Sequence, residues 1–353
     1  MKVIYKRDVS GKVRYLKVST KEDNLIQESG VLDTDSPITH SKACTGKNKG
    51  KTNETTPEEQ AKSEMASLIK SKLDEGYFLT QKEAETEEVI LPMLAKSYKD
   101  EKDKIDWQNC FVQPKFDGMR CLAFVKKGAV TLMSRKGKEI TTVPFINDAL
   151  SSLKDGIYDG ELYAHGIGFQ GNMELIKKYR PGKSESIKFH CYDMISDEPF
   201  DVRHVLLQSK LAKYDGHIVS VETQRIHSES DLNKYHKLFL SEGYEGSIVR
   251  LGGGKYKVNG RSSDLLKYKD FQDIAAKIID ITPAESRPEW GVPTLEWKGK
   301  KFQAGTKMSH EERKELLINK KNYIGKLGEI RYFELSEEGI PRFPIFCGVR
   351  LDK

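Results

Sequence analysis

Between Cys121 and Ile140 the chain reads CLAFVKKGAVTLMSRKGKEI. Two apolar runs flank a Lys-Gly pair, and this arrangement constrains the fold more than any other stretch. Short runs rich in β-branched and large apolar residues suit strands. The pair Lys127-Gly128 between them suits a tight hairpin turn. Similar strand-like runs recur in DGIYDGELYAHG and SIKFHCYDMIS, and again in GSIVRL after a helix, SDLNKYHKLFLSEGYEG, that ends near Gly243. Residues 88–270 therefore read as strand-rich with a few helices. From 271 onward DIAAKIIDIT, TLEWKGKKFQAG and LGEIRYFEL, with the helix SHEERKELLINKK among them, suit a small five-stranded barrel.

The first segment is different. KVIYKRD and VRYLKVST alternate well enough for strands, and residues 30–57 are polar and read as a long loop. A helix then starts at TTPEEQ: Thr56 can cap it, Pro57 suits the first helical position, and Glu59 completes a capping box. Ala61, Met65, Leu68, Ile69 and Leu73 form its apolar stripe, and Gly76 ends it. Residues 1–82 are expected to form a small α+β module, followed by an acidic linker at 83–87. The basic loop KACTGKNKGK suits either a phosphate-backbone contact or a solvated surface.

At 353 residues the chain suits two or three domains. Its 59 basic and 53 acidic residues leave a net charge of +6, compatible with a nucleic-acid partner without requiring one. No apolar run is long enough for a membrane helix, and the N-terminus turns polar too soon for a secretory signal. Five scattered cysteines without a C-x-x-C pair argue against a disulfide framework or zinc cluster and for an intracellular setting.

Chemistry concentrates in a few short stretches. In QPKFDGMR, Lys115 precedes Asp117, Gly118 and Arg120. A lysine attacks only as the free amine, and burial or nearby cations lower its pKa. Arg120 can supply that positive field. Gly118 leaves room for a nucleotide to approach the backbone, and Asp117 can hold a divalent metal or orient a sugar hydroxyl. Taken alone, the six residues also fit a β-turn with a surface lysine. In DGELY, Asp159 and Glu161 project to one strand face, where Glu161 can accept from a ribose hydroxyl or simply face water. In LLKYKDF, Lys267 and Lys269 share a face at strand spacing, and a phosphate between them relieves their repulsion. GYEGSIVR adds Glu245, a second candidate metal ligand, HCYDMIS adds Tyr192, an aromatic face for a purine, and LMSRKGK adds Arg135. The tail RFPIFCGVRLDK carries Arg342, Arg350, Asp352 and Lys353.

In this order QPKFDGMR, SRKGK, DGELY, YDMIS, YEGSIVR, KYKVNGRSSDLLKYKDF and the tail resemble the covalent nucleotidyltransferases. They are most similar to the small ATP-dependent DNA ligases of viruses and phages, of the chlorella virus type. The resemblance covers roughly residues 88–353. It implies a nucleotidyltransferase (adenylation) domain at 88–270 followed by an OB-fold β-barrel at 271–353, so an α+β chain with an added N-terminal module. It further implies ATP and Mg²⁺ as cofactors and nicked duplex DNA as partner, encircled by a monomer. Lys115 would be adenylated, with Tyr192 stacking on adenine, Glu161 on the ribose, and Lys267 with Lys269 on the α-phosphate. Asp117 and Glu245 would serve the metal or the nick. Arg120, Arg135 and Arg261 would contact the broken strand. Arg350, Asp352 and Lys353 would engage pyrophosphate.

Two departures stand out. ITPAESRPEWGVPTLEWKGKKFQAG is too short for the DNA-clasping latch insertion of the chlorella virus type, and residues 1–82 have no counterpart there. Their strand-strand-loop-helix order is similar to the WGR-type module, which implies a DNA clamp in the latch's place. An mRNA capping guanylyltransferase shares KFDGMR and LLKYK, but the tail is ligase-like. An NAD-dependent ligase would bring a four-cysteine zinc module that this chain lacks.

Overall fold

The computed structural model describes residues 1–8, 11–34, 36–86, 89–214, 216–285, 287–336 and 338–350. The chain forms two compact units, Met1–Tyr268 and Lys269–Lys353.

The first unit begins with four antiparallel strands paired in chain order: β1 (Lys2–Arg7), β2 (Val13–Lys21), β3 (Asn24–Val31) and β4 (Ile38–Ala43). Helix α1 (Pro57–Asp74) covers them with the expected capping box, Thr56 and Glu59 each accepting from the other's backbone N–H. Ile4, Leu16, Val18, Leu25, Cys44 and Ala61 are buried together beneath it, and Met65, Leu68, Ile69 and Leu73 pack against them. Two expectations are corrected here. The long loop contains β4, which the reading missed because every residue of that edge strand is exposed and it carries no apolar alternation. The start of the acidic linker is helix α2 (Gln81–Thr86), with Ala84 buried. Thr80 and Glu83 cap this helix reciprocally, a T-x-x-E signal that was present in the sequence.

The rest of the unit builds two five-stranded sheets. In chain order come β5 (Leu94–Ser97), the short α3 (Tyr98–Glu101), β6 (Cys110–Lys115), β7 (Met119–Lys126), β8 (Ala129–Ser134) and α4 (Pro144–Leu150). They are followed by β9 (Gly156–Tyr163), α5 (Gly168–Lys177), β10 (Lys188–Met194), α6 (Phe200–Leu211) and β11 (Ile218–Ser220). Last are β12 (Gln224–Ile226), α7 (Glu229–Ser241), β13 (Gly246–Leu251) and β14 (Arg261–Tyr268). One sheet has the order β11-β10-β9-β7-β8 and the other β12-β6-β13-β14-β5. The β7–β8 hairpin turns at Lys127 and Gly128, both with positive φ, as their sequence demands. Helix α7 lays Leu232, His236 and Phe239 on the second sheet at i, i+4 and i+7. Truncating a buried Phe such as Phe239 to Ala costs about 3–5 kcal/mol.

These two sheets matter to function because β6 belongs to one and β7 to the other. The chain crosses between them within Phe116, Asp117 and Gly118. Lys115 is the last residue of β6, so it stands where the two sheets meet.

The second unit is one sheet of β15 (Gln272–Pro283), β16 (Gly291–Trp297), β17 (Lys300–Gln303), β18 (Gly305–Thr306), β19 (Leu327–Tyr332) and β20 (Ile345–Val349), with helix α8 (His310–Ile318). Its order is β17-β16-β15-β19-β20-β18, six strands where five were expected, the sixth being the two-residue β18. Ile278, Ile281, Leu295, Ile330 and Phe346 are fully buried in its core.

Candidate active site

Lys115 is held by backbone pairing on the Glu245 side: Gly246 is its register partner, and the Glu245 N–H donates to the Lys115 carbonyl at 2.9 Å. Its ammonium donates to the Glu245 carboxylate. Only 21% of the Lys115 side chain and 6% of Glu245 is exposed, so this is a pair largely withdrawn from water. Burial lowers the Lys115 pKa from its ordinary value. Glu161 and Asp117 pull it back up, and Arg120 and Arg135 push it further down. The direction is the one a nucleophilic amine requires.

Gly118 is also required by packing. A Cβ there would lie 2.5 Å from the Leu162 carbonyl oxygen and 2.9 Å from Glu161 Cγ. Its hydrogen is what lets β7 leave Lys115 close against β9, and so places Glu161 beside the amine.

Glu161 projects from β9 opposite Arg120 on β7 and His190 on β10. Burial raises its pKa to about 7, against the pull of Lys115 and Arg120. Asp159 does not share its neighbour's setting. It is fully buried, accepts two hydrogen bonds from Arg120 at 2.9 and 2.6 Å, and a third from Tyr256 at 2.6 Å. Arg120 is thereby fixed in place by a bidentate pair.

Tyr192 sits at a register shift in β10, between Cys191 and Asp193. Its hydroxyl lies 3.2 Å from the Gly160 carbonyl and 3.3 Å from Glu161 Oε2. The guanidinium carbons of Arg120 and Arg250 lie 5.5 and 5.4 Å from its ring centroid. Phe116 and Tyr163, both buried, form an aromatic cluster with Tyr192 and Tyr244 packed against it. The His190 ring lies tilted against Phe116 at 4.8 Å between centroids, and burial pushes its pKa down to about 4.

The cations form a group. Arg135, on the loop after β8, has its pKa lowered by burial and by Arg120 and Arg261. Lys267, on β14, is lowered by burial and by Arg261, Lys115 and Arg135. Arg135, Arg261 and Lys267 thus gather like charge beside Lys115 and Arg120, whose own charges are met by Glu245 and Asp159. Lys269 falls beyond β14, in the second unit, where its ammonium is 4.1 Å from the Phe333 ring centroid. Arg350 is exposed in that unit, its N–H donating to the Leu327 carbonyl at 2.8 Å, and Arg342 pairs with Glu334. Asp352 and Lys353 lie outside the described residues.

Beneath the site lies a buried network that the sequence reading missed. Asp193 accepts from Arg203 at 2.8 and 3.0 Å and from Arg250 at 2.6 Å, and all three side chains are at most 3% exposed. Arg250 also donates to Gln113 at 2.6 Å, and Gln113 donates to the Tyr192 carbonyl at 3.2 Å. One signal for it was available. Arg203 occupies the apolar stripe of α6 with Phe200, Leu207 and Leu211, and a charge in such a stripe has to find a buried partner.

Among the described residues no three His, Cys, Asp or Glu side chains gather as a metal cluster. Mg²⁺ is usually carried by one or two carboxylates together with substrate phosphates, so the donors around Lys115, Asp117 and Glu245, fit it as partial ligands.

Comparison with known proteins bears on family and fold. Residues 92–269 match the ATP dependent DNA ligase domain, and residues 290–350 match the DNA ligase OB-like domain. The DNA ligase of enterobacteria phage T4 is 26% identical over 306 residues, 67% of this chain and 62% of that protein. The chain thus spans less than two thirds of that relative's length. The DNA ligase of African swine fever virus (a Kenyan pig isolate) is 29% identical over 338 residues, 84% of this chain and 76% of that protein. A solved structure from work on Lig E DNA ligases superposes with a TM-score of 0.63 at 23% identity, covering 74% of this chain and 99% of that one, and shows the shared fold. No described helix is long and apolar enough to cross a membrane.

Proposed function

The chain belongs to the ATP dependent DNA ligase domain family, and we propose that it seals 5′-phosphate/3′-hydroxyl nicks in duplex DNA through a lysyl-adenylate. It would do so during replication, repair or recombination, as a monomer that encircles the duplex inside the cell. The observation that carries this reading is Lys115, withdrawn from water with its pKa lowered by burial, and the four cations Arg120, Arg135, Arg261 and Lys267 gathered near it. A polyphosphate or a strand end between such cations is favourable.

In the first step the free amine of Lys115 attacks the α-phosphorus of ATP, a P–N bond forms, and pyrophosphate leaves. Glu245, already hydrogen-bonded to the ammonium, is the base placed to take its proton. Lys267 faces the α-phosphate oxygens, Glu161 accepts from the ribose, and Tyr192 with its aromatic neighbours packs the adenine. Arg350, Asp352 and Lys353 engage the departing pyrophosphate. In the second step the 5′-phosphate of the nick displaces Lys115 from the adenylate. In the third, the 3′-hydroxyl attacks that phosphate and AMP departs. Arg120, held by Asp159, and Arg135 and Arg261 position the broken strand. Asp117 and Glu245 would hold Mg²⁺, which when bound neutralises phosphate charge. Every step is an in-line displacement, so placement and charge do most of the catalysis.

The test is sealing of a nicked duplex by the purified chain with Mg²⁺ and either ATP or GTP, read on a denaturing gel. A sealed strand with ATP alone, and none from Lys115→Ala, is expected. Sealing by Lys115→Ala would overturn the reading.

A further inference from the structure

Residues 1–86 do not hang from a free tether. Lys138 on the Arg135 loop donates to Asp74 at 2.6 Å, and Lys136 on the same loop donates to Glu75 at 2.9 Å. The Asn259 side chain pins the connecting segment, accepting from Leu91 N at 2.6 Å and donating to the Val89 carbonyl at 2.9 Å. Between the module and the 257–261 loop lies a cleft of about 620 Å³. Arg7 and Phe78 line it on the module side, Lys257 and Arg261 on the other.

The charge in this cleft is cationic and open to solvent. Arg7, Lys257 and Arg261 are all exposed. Both hydrogen bonds of Arg7 go to backbone carbonyls, of Gly11 at 3.2 Å and Glu85 at 3.3 Å, which leave its charge intact. Among the described residues the acid in the lining is Asp8, which is engaged by the Arg14 Nε at 3.0 Å and the Lys12 N–H at 3.1 Å. Arg261 also belongs to the cation group around Lys115, as its effect on Arg135 and Lys267 shows. Arg261 therefore belongs both to the cations near the nucleophile and to the cleft that Arg7 lines from the module.

We propose that this cleft is a second phosphate site, in which Arg7 and Lys257 together hold a backbone phosphate of the duplex away from the nick. The inference rests on the nick-sealing reading and gives the N-terminal module its part in it. A duplex presents phosphates at regular spacing along each strand, and a run of separated cations is the surface that matches it. Because the module is braced against the Arg135 loop, its arginine is held in register with the site.

The experiment uses the full chain with Arg7→Ala, Lys257→Ala and the double variant, and measures anisotropy of a labelled nicked duplex across a salt series. Both residues are exposed, and adenylation without DNA serves as the check on folding. Each single variant should bind several-fold more weakly, and the plot of log affinity against log salt should lose about one from its slope. The double variant should lose about two. A duplex shortened on the module's side of the nick should bind wild type and double variant equally. Unchanged affinity and slope in the double variant, with sealing intact in the wild type, would overturn the cleft and leave the function standing. Failure of the wild type to adenylate or seal would instead remove the function itself.

Discussion

Asp193 and Lys115 stand on the same pair of sheets in opposite ionic settings. Around Asp193 the groups are buried and hydrogen-bonded together: two guanidiniums share one carboxylate, and further donors go to the Gln113 amide and the Gly254 carbonyl. Around Lys115, where Glu245 meets the amine and Asp159 meets Arg120, the exposed Arg135, Arg261 and Lys267 add further positive charge at the surface. The first arrangement fixes the geometry of β10, β13 and α6 and with it the position of Tyr192. The second awaits an anion. A scaffold buries its ion pairs in the folded chain, whereas a site keeps charge exposed for its substrate.

This comparison can be broken from either side. The largest effect is expected from Asp193→Asn, which strands two buried guanidiniums and should cost about 3–5 kcal/mol, read as a shifted urea or thermal midpoint. A loss under 1 kcal/mol would mean that the network is not a scaffold. Next, Lys267→Ala should slow adenylation about a hundredfold or more, the cost of removing one charge-stabilising donor. It should leave stability within about 0.5 kcal/mol, because the Lys267 side chain reaches the surface and most of its charged neighbours are cations. Equal losses of rate and stability would erase the distinction between the two regions.

A further effect concerns pH. The folded Glu161 carboxyl titrates at about 7 against 4.5 for the free group. Folded protein therefore binds more protons than unfolded between those values, and this group's contribution falls as pH rises through the window. Glu161→Gln should match wild type in stability near pH 4 and exceed it above pH 7. A constant difference across that range would show that Glu161 ionises normally.

Much of this was legible in the sequence, for physical reasons. Lys115, Glu161, Glu245 and Lys267 lie at strand ends or on strand faces, where short motifs and alternation fix direction. The α1 capping box and the Lys127-Gly128 turn are local chemistry, which a sequence carries whole. What stayed hidden depends on long-range pairing. Strand β4 borrows its structure from β3, since its own residues are all exposed. The Asp159–Arg120 and Asp193–Arg203–Arg250 pairs join residues up to 57 positions apart, and nothing in either partner's neighbourhood names the other. The reason for Gly118 was also hidden, because it lies in the approach of β9. Lys267 and Lys269, two residues apart, were expected on one strand face, yet β14 ends between them and the second unit begins.

The claim on which all of this depends is that one amine, made nucleophilic by burial, bonds to adenylate. Intact-mass spectrometry of the chain after ATP and Mg²⁺, with peptide mapping of the adduct, tests it directly. The account predicts a single adenylate on Lys115, absent from Lys115→Ala and lost when nicked duplex is added. An adduct on another residue, or none in a folded sample, would contradict it.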